Sequence, residues 1–175
     1  MSRAKTGQKR EKWNVEKPAR KREREEFGRG QKGVVLCDGC GAAYFKKRWY
    51  HGLEKINVKK TDSAVSFALC PACKMIKERL FEGKILLKNV PKKEEREILN
   101  FVSAYGQRAW DRDPMHRVIA AKKTSEGIVV TTTENQLANK MARKLAQVFN
   151  KVTKEISFSP GPSDIVYITI TFTSN

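Results

Sequence analysis

All four cysteines of this 175-residue chain fall into two C-x-x-C pairs, Cys37-Asp38-Gly39-Cys40 and Cys70-Pro71-Ala72-Cys73. Two intervening residues let a tight turn aim both sulfurs at one point, and two such turns supply the four thiolates of a tetrahedral zinc site. Gly41, just after the first pair, suits a backbone that wraps around a metal. Pro71 fits the first turn of a helix that Lys74-Met75-Ile76-Lys77-Glu78-Arg79-Leu80-Phe81 would continue, which puts the second pair at the positive end of the helix dipole. The expectation is one Zn2+ held by Cys37, Cys40, Cys70 and Cys73 in a treble-clef or ribbon-like finger. Four thiolates leave no open coordination position, so the site reads as structural and the chain as non-enzymatic. A disulfide framework, a redox pair and plain core filling are the competing uses of these cysteines. The chain opens Met1-Ser2-Arg3-Ala4-Lys5 without the pattern of a secretory leader, which argues for reduced thiols and a cytoplasmic location, and a redox motif needs only one pair.

The charge balance points to the partner. Lys and Arg number 36 against 19 Asp and Glu, a formal net charge of +17. The basic-to-acidic count is twelve to five in residues 1–33, twelve to five in 34–92 and twelve to nine in 93–175, so the excess sits in the first half. Such an imbalance suits a polyanion. No apolar run approaches the ~18 residues that cross a bilayer, and no membrane partner is expected. Residues 1–33 lack apolar periodicity and read as a flexible basic tail, with Arg20, Lys21, Arg22 and Arg24 as candidate RNA contacts; a merely solvated tail is the alternative. Between the cysteine pairs, Tyr44-Phe45-Lys46-Lys47-Arg48-Trp49-Tyr50-His51 mixes aromatics that stack on unpaired bases with cations that neutralise phosphates. Lys46, Lys47, Arg48, Tyr50 and His51 are therefore the candidate RNA-binding residues of the finger. Read as one strand, the segment places Tyr44, Lys46, Arg48 and Tyr50 on one side and Phe45, Lys47, Trp49 and His51 on the other, with Phe45 and Trp49 filling the finger core.

The elements that hold these residues divide at a boundary near 89–92, where Asn89 and Pro91 form a turn. Residues 34–90 make the four-cysteine zinc finger, with Ala64–Leu69 as a strand entering the second pair. Residues 91–175 make a small α-β-β-α-β-β domain with a mostly antiparallel sheet and helices on one face, an α+β fold. Its first helix runs from Glu94 to Tyr105 with Gly106 as a stop, and Thr133-Glu134-Asn135-Gln136 has the form of a capping box opening the second. Strands are expected at 117–122, 128–132, 152–158 and 165–172, the last two joined by a Pro160-Gly161-Pro162 turn. The helix face of Asn139, Lys140, Arg143, Lys144 and Gln147 would touch phosphates or solvent. Asp111 and Asp113, two apart near Arg108, Arg112 and Arg117, are an acidic pair that would serve a metal-dependent nuclease, although a charged turn is the commoner use.

The run Cys37-Asp38-Gly39-Cys40-Gly41-Ala42-Ala43-Tyr44, with Arg48-Trp49, Cys70-Pro71-Ala72-Cys73, Asp113-Pro114-Met115-His116-Arg117 and Gly127-Ile128-Val129-Val130-Thr131-Thr132-Thr133, resembles a family of small, uncharacterised bacterial zinc-finger proteins over residues 35–172. More distantly it is similar to the N-terminal part of the ribosomal large-subunit export adaptor of the nonsense-mediated-decay family, which has more cysteine pairs. That resemblance implies contact with the ribosome or ribosomal RNA. The function expected is a zinc-binding, RNA-binding factor of ribosome assembly, dormancy or quality control. A nucleic-acid-processing enzyme or subunit and a DNA-binding transcription factor are the alternatives. The aromatic-basic mixture and the lack of a helix-turn-helix pattern favour RNA over duplex DNA.

Overall fold

The computed structural model describes residues 33–56, 65–149, 152–160 and 165–173. Arg20, Lys21, Arg22 and Arg24 and the Gly161-Pro162 turn lie outside them. Gln31–Asn175 group as one compact unit. A small sheet carries the cysteines: β1 (Val34–Cys37), β2 (Ala43–Phe45), β3 (Arg48–Tyr50) and β4 (Val65–Ala68), in the order β3-β2-β1-β4. β1 pairs antiparallel with β2 but parallel with β4, with Cys37 opposite Ala68. Parallel pairing makes both cysteine turns leave the same end of the sheet. The eight-residue helix α1 (Pro71–Glu78) follows with Pro71 in its first turn.

The second sheet contains β5 (Gly83–Lys88), β6 (Val118–Thr124), β7 (Gly127–Thr132), β8 (Val152–Phe158) and β9 (Val166–Phe172), in the order β6-β7-β5-β9-β8. Helices α2 (Glu95–Arg112) and α3 (Asn135–Val148) pack on one face, where Ile98, Val102, Met141 and Leu145 meet Ile85, Leu87, Val130 and Ile168. Three of the four pairings are antiparallel, and β5 with β9 is parallel, so the sheet is mixed. The chain order is β-α-β-β-α-β-β.

Three expectations change. The Ile85-Leu86-Leu87 segment, assigned to the finger by a boundary at 89–92, is the central strand of the second sheet, paired on both sides. Its buried Ile85 and Leu87 complete the core of the α/β half, so the 91–175 domain begins one strand earlier. Gly106 does not stop α2; the helix continues to Arg112, and Gly106 is buried where a Cβ would lie 2.6 Å from Val118 Cγ2. Its small size lets α2 approach β6. Thr133 does not cap α3. Glu134 occupies that position and makes no side-chain capping bond to the helix, while buried Thr133 donates from Oγ1 to the Met115 carbonyl at 2.6 Å.

Alanine at position 106 would gain about 1 kcal/mol of helix propensity over glycine, yet overpacking typically costs about 1–3 kcal/mol. Gly106→Ala is expected to lower stability in urea unfolding, and adding Val118→Ala should recover part of the loss. A Gly106→Ala protein more stable than the parent would mean that the α2–β6 contact is loose.

Candidate metal centre

The two turns are built from backbone. Cys37 donates its N–H to the Ala42 carbonyl at 2.7 Å, and Gly41 donates to the Cys37 carbonyl at 2.9 Å. Gly41 has φ +72°, which favours glycine and lets the chain reverse around the sulfurs. Gly39 leaves room on the other side, because a Cβ there would lie 3.0 Å from Cys73 Sγ. The second turn uses the start of α1, where Cys70 is the N-cap and its Sγ accepts from the Cys73 N–H at 3.3 Å. The Cys70 N–H in turn donates to Cys37 Sγ at 3.2 Å, so the second pair supplies an N–H to a sulfur of each turn.

Four sulfurs at zinc-thiolate bond length, about 2.3 Å from a common centre, would be about 3.8 Å apart along each tetrahedral edge. Cys40 Sγ and Cys70 Sγ are 3.7 Å apart, and all four sulfurs lie within 4.8 Å of one another. The four cysteines are positioned to bind a metal ion. They form the one group of this kind among the described residues. Cys37 and Cys70 are buried, while Cys40 and Cys73 are half-buried. Burial pushes the Cys37 thiol up, but N–H groups of Cys70, Gly39 and Cys40 outweigh it and bring its pKa down to about 7. Burial raises Cys73 to about 11 and holds Cys70 higher still, with neighbouring sulfur adding to both. A cation that replaces those protons removes the conflict between burial and negative charge.

Around the sulfurs pack Ala42, Ala72, Trp49 and, from the loop after α2, Met115. That loop is tied down at both ends. Asp113 Oδ1 accepts from the Met115 N–H at 2.9 Å, Thr133 Oγ1 accepts from the Arg117 N–H at 2.9 Å, and Arg117 Nε donates to the Pro114 carbonyl at 3.0 Å. Nothing in residue type marks Met115 for this place; only the fold brings it to the sulfurs. Asp111 accepts from Gln107 Nε2 at 2.9 Å, so the two aspartates of the nuclease alternative each serve a local bond.

The aromatic-basic segment is a hairpin rather than one strand. Lys46 and Lys47 form its two-residue turn, both with positive φ, 46° and 67°, and Phe45 faces Arg48 while Tyr44 faces Trp49. The turn resets the alternation. Trp49 shares a face with Tyr44, their ring centroids 5.2 Å apart, and packs on the cysteine cluster, whereas Phe45 and Tyr50 pack together on Val34, Ala43 and Ile56. Lys46, Lys47 and Arg48 are exposed. Tyr50 is half-buried with the Arg48 guanidinium 5.6 Å from its ring centre, so it is not an open stacking face. His51 is half-buried too; its ring meets Trp110 edge-on at 4.8 Å and its Nε2 is enclosed.

No protein-family model matches this chain, and no curated protein matches it.

Purified protein is expected to hold one equivalent of metal, and Cys70→Ser to lose it; full occupancy in that variant would break the four-thiolate assignment. Protons compete with metal for the sulfurs, so affinity should fall as pH falls. Below pH 7 or so, where Cys37 of the metal-free form gains its own proton, each unit of pH should cost one further factor of ten compared with higher pH. Competition with a chromophoric chelator from about pH 6 to 8.5 measures this slope.

Proposed function

We propose that this chain is a non-enzymatic zinc-binding and RNA-binding protein that associates with the ribosome. The observation that carries the RNA reading is the Lys46-Lys47 turn. Two-residue hairpin turns with both φ positive favour Asn-Gly, because a side chain in the left-handed region costs on the order of 1–2 kcal/mol. Here two lysines hold that conformation at the exposed tip, beside Arg48. A local cost kept at an exposed cationic tip supports a functional role for the charge. Zinc is the reading of the metal because four thiolates at tetrahedral spacing suit it best, and a closed four-thiolate set favours structure over catalysis. The +17 charge supports a polyanionic partner. The ribosome as that partner, in assembly, dormancy or quality control, rests on the distant similarity of the cysteine-pair finger and the α/β half behind it to the N-terminal part of the ribosomal large-subunit export adaptor.

Replacing the turn separates folding from binding. Lys46→Asn with Lys47→Gly should raise the melting temperature, because the new residues suit the turn, and should weaken RNA binding with a salt slope shallower by about 1.4, or 0.7 for each phosphate no longer neutralised on a single strand. RNA affinity unchanged in a stabilised variant would remove the hairpin from the interface. In sucrose gradients the tagged chain should travel with ribosomal particles at low salt, and leave them at high salt or after RNase; migration only at the top of the gradient under all conditions would rule out the ribosomal partner.

A further inference from the structure

The five-stranded sheet has a second face, away from α2 and α3, that no element covers among the described residues. The strand registers place Lys84 and Lys88 of β5 and Tyr167, Thr169 and Thr171 of β9 on it, with Lys122 of β6 joining through Val129. A central strand covered on both faces would be apolar throughout; here β5 alternates buried Ile85 and Leu87 with Lys84, Leu86 and Lys88. Lys84 is the direct neighbour of Tyr167. Tyr167 is 37% exposed, and Phe81 meets its ring edge-on with centroids 6.3 Å apart, which fixes the ring's orientation. Lys84 and Lys88 are four residues apart on one strand, about 13 Å. None of the three lysines is in an ion pair with a described residue. Within the strands, the carboxylate on this face is that of Glu155, on the edge strand β8 opposite Thr169, and Glu82 immediately precedes β5.

We propose that this open face is a second platform for single-stranded RNA, on which a base stacks against Tyr167 while Lys84, Lys88 and Lys122 neutralise neighbouring phosphates. The inference rests on the RNA-binding reading and extends it to a surface separate from the hairpin. An aromatic beside lysines and hydroxyls on an exposed sheet is a stacking surface with charge at its margins, and it discriminates unpaired strands from duplexes because only unpaired bases offer their faces. Thr169 and Thr171 add hydroxyl groups suited to sugar and phosphate oxygens.

The test uses the full metal-loaded chain and a fluorescent uridine-rich oligoribonucleotide, titrated at several salt concentrations. Tyr167→Thr keeps a residue that suits a strand and removes the ring; it should weaken binding between about 5-fold and 150-fold without changing the salt slope, and Tyr167→Phe should bind like the parent. Lys84→Gln with Lys88→Gln should make the slope shallower by about 1.4. Metal content and melting are compared first, and ultraviolet crosslinking of the unmodified chain should label a peptide containing Tyr167, which needs no substitution. A parent that binds RNA while these variants bind equally, with no crosslink on β9, overturns this inference alone and leaves the face as solvated sheet. A parent that binds no RNA at all overturns the wider reading with it.

Discussion

Four sulfurs have to meet at one point, and most of the first half of the molecule follows from that demand. The two cysteine turns can converge only if the strands before them run side by side in the same direction. Hence β4 adds parallel to β1 although thirty residues of chain separate Cys40 from Cys70. Convergence also crowds ionisable groups into a buried space, and burial holds Cys70 and Cys73 protonated until a cation arrives. Metal binding in small thiolate fingers contributes roughly 10–16 kcal/mol, comparable with the whole ~5–15 kcal/mol stability of an ordinary domain. The short three- and four-residue strands of this sheet bury few large side chains, so a metal held by the four cysteines would be the natural source of their order.

The metal half is not an independent bead. Met115 reaches the sulfur cluster from a loop whose other bonds, through Thr133 and Asp113, belong to the α/β half. The loop can do so because α2 runs well past Gly106, which carries Trp110 to His51 and the loop to the sulfurs. A helix stopped at Gly106 would fall short of them. A close-packed glycine in the α/β half therefore helps to set the surroundings of the four sulfurs.

The cysteine constellation is legible from residue type and spacing because thiol chemistry at that spacing has few uses. The α3 stripe and the approximate strands of the second half are legible from periodicity. What stays hidden depends on partners distant in sequence. Ile85-Leu86-Leu87 is too short to declare its sheet, and its lysine-flanked pattern acquires meaning only between β7 and β9. Gly106 and Thr133 have the residue types of a helix stop and a helix cap, yet Val118 and Met115, their tertiary neighbours, give them other work. The hairpin is concealed because Lys-Lys is a poor signal for a turn that ordinarily announces itself with Asn-Gly. With the turn unseen, the side-chain parity after it is inverted.

Among the described residues, each sheet also ends in an uncovered strand. β4 exposes Phe67 at 67%, and β8 carries exposed Ile156 and Phe158. Bare edges of this kind invite strand-to-strand association between molecules. Lys154, on the same side of β8 as Ile156 and Phe158, is a charge placed where it obstructs such pairing. The rest of the defence is collective: molecules that each carry +17 repel one another before their edges can meet. Ionic strength shortens the reach of that repulsion, to about 3 Å at 1 M salt. The same salt that would strip a polyanion from the proposed interface thus lowers the colloidal barrier between molecules, and an anionic scaffold, if it is the partner, would be the setting in which the apolar edges are kept apart.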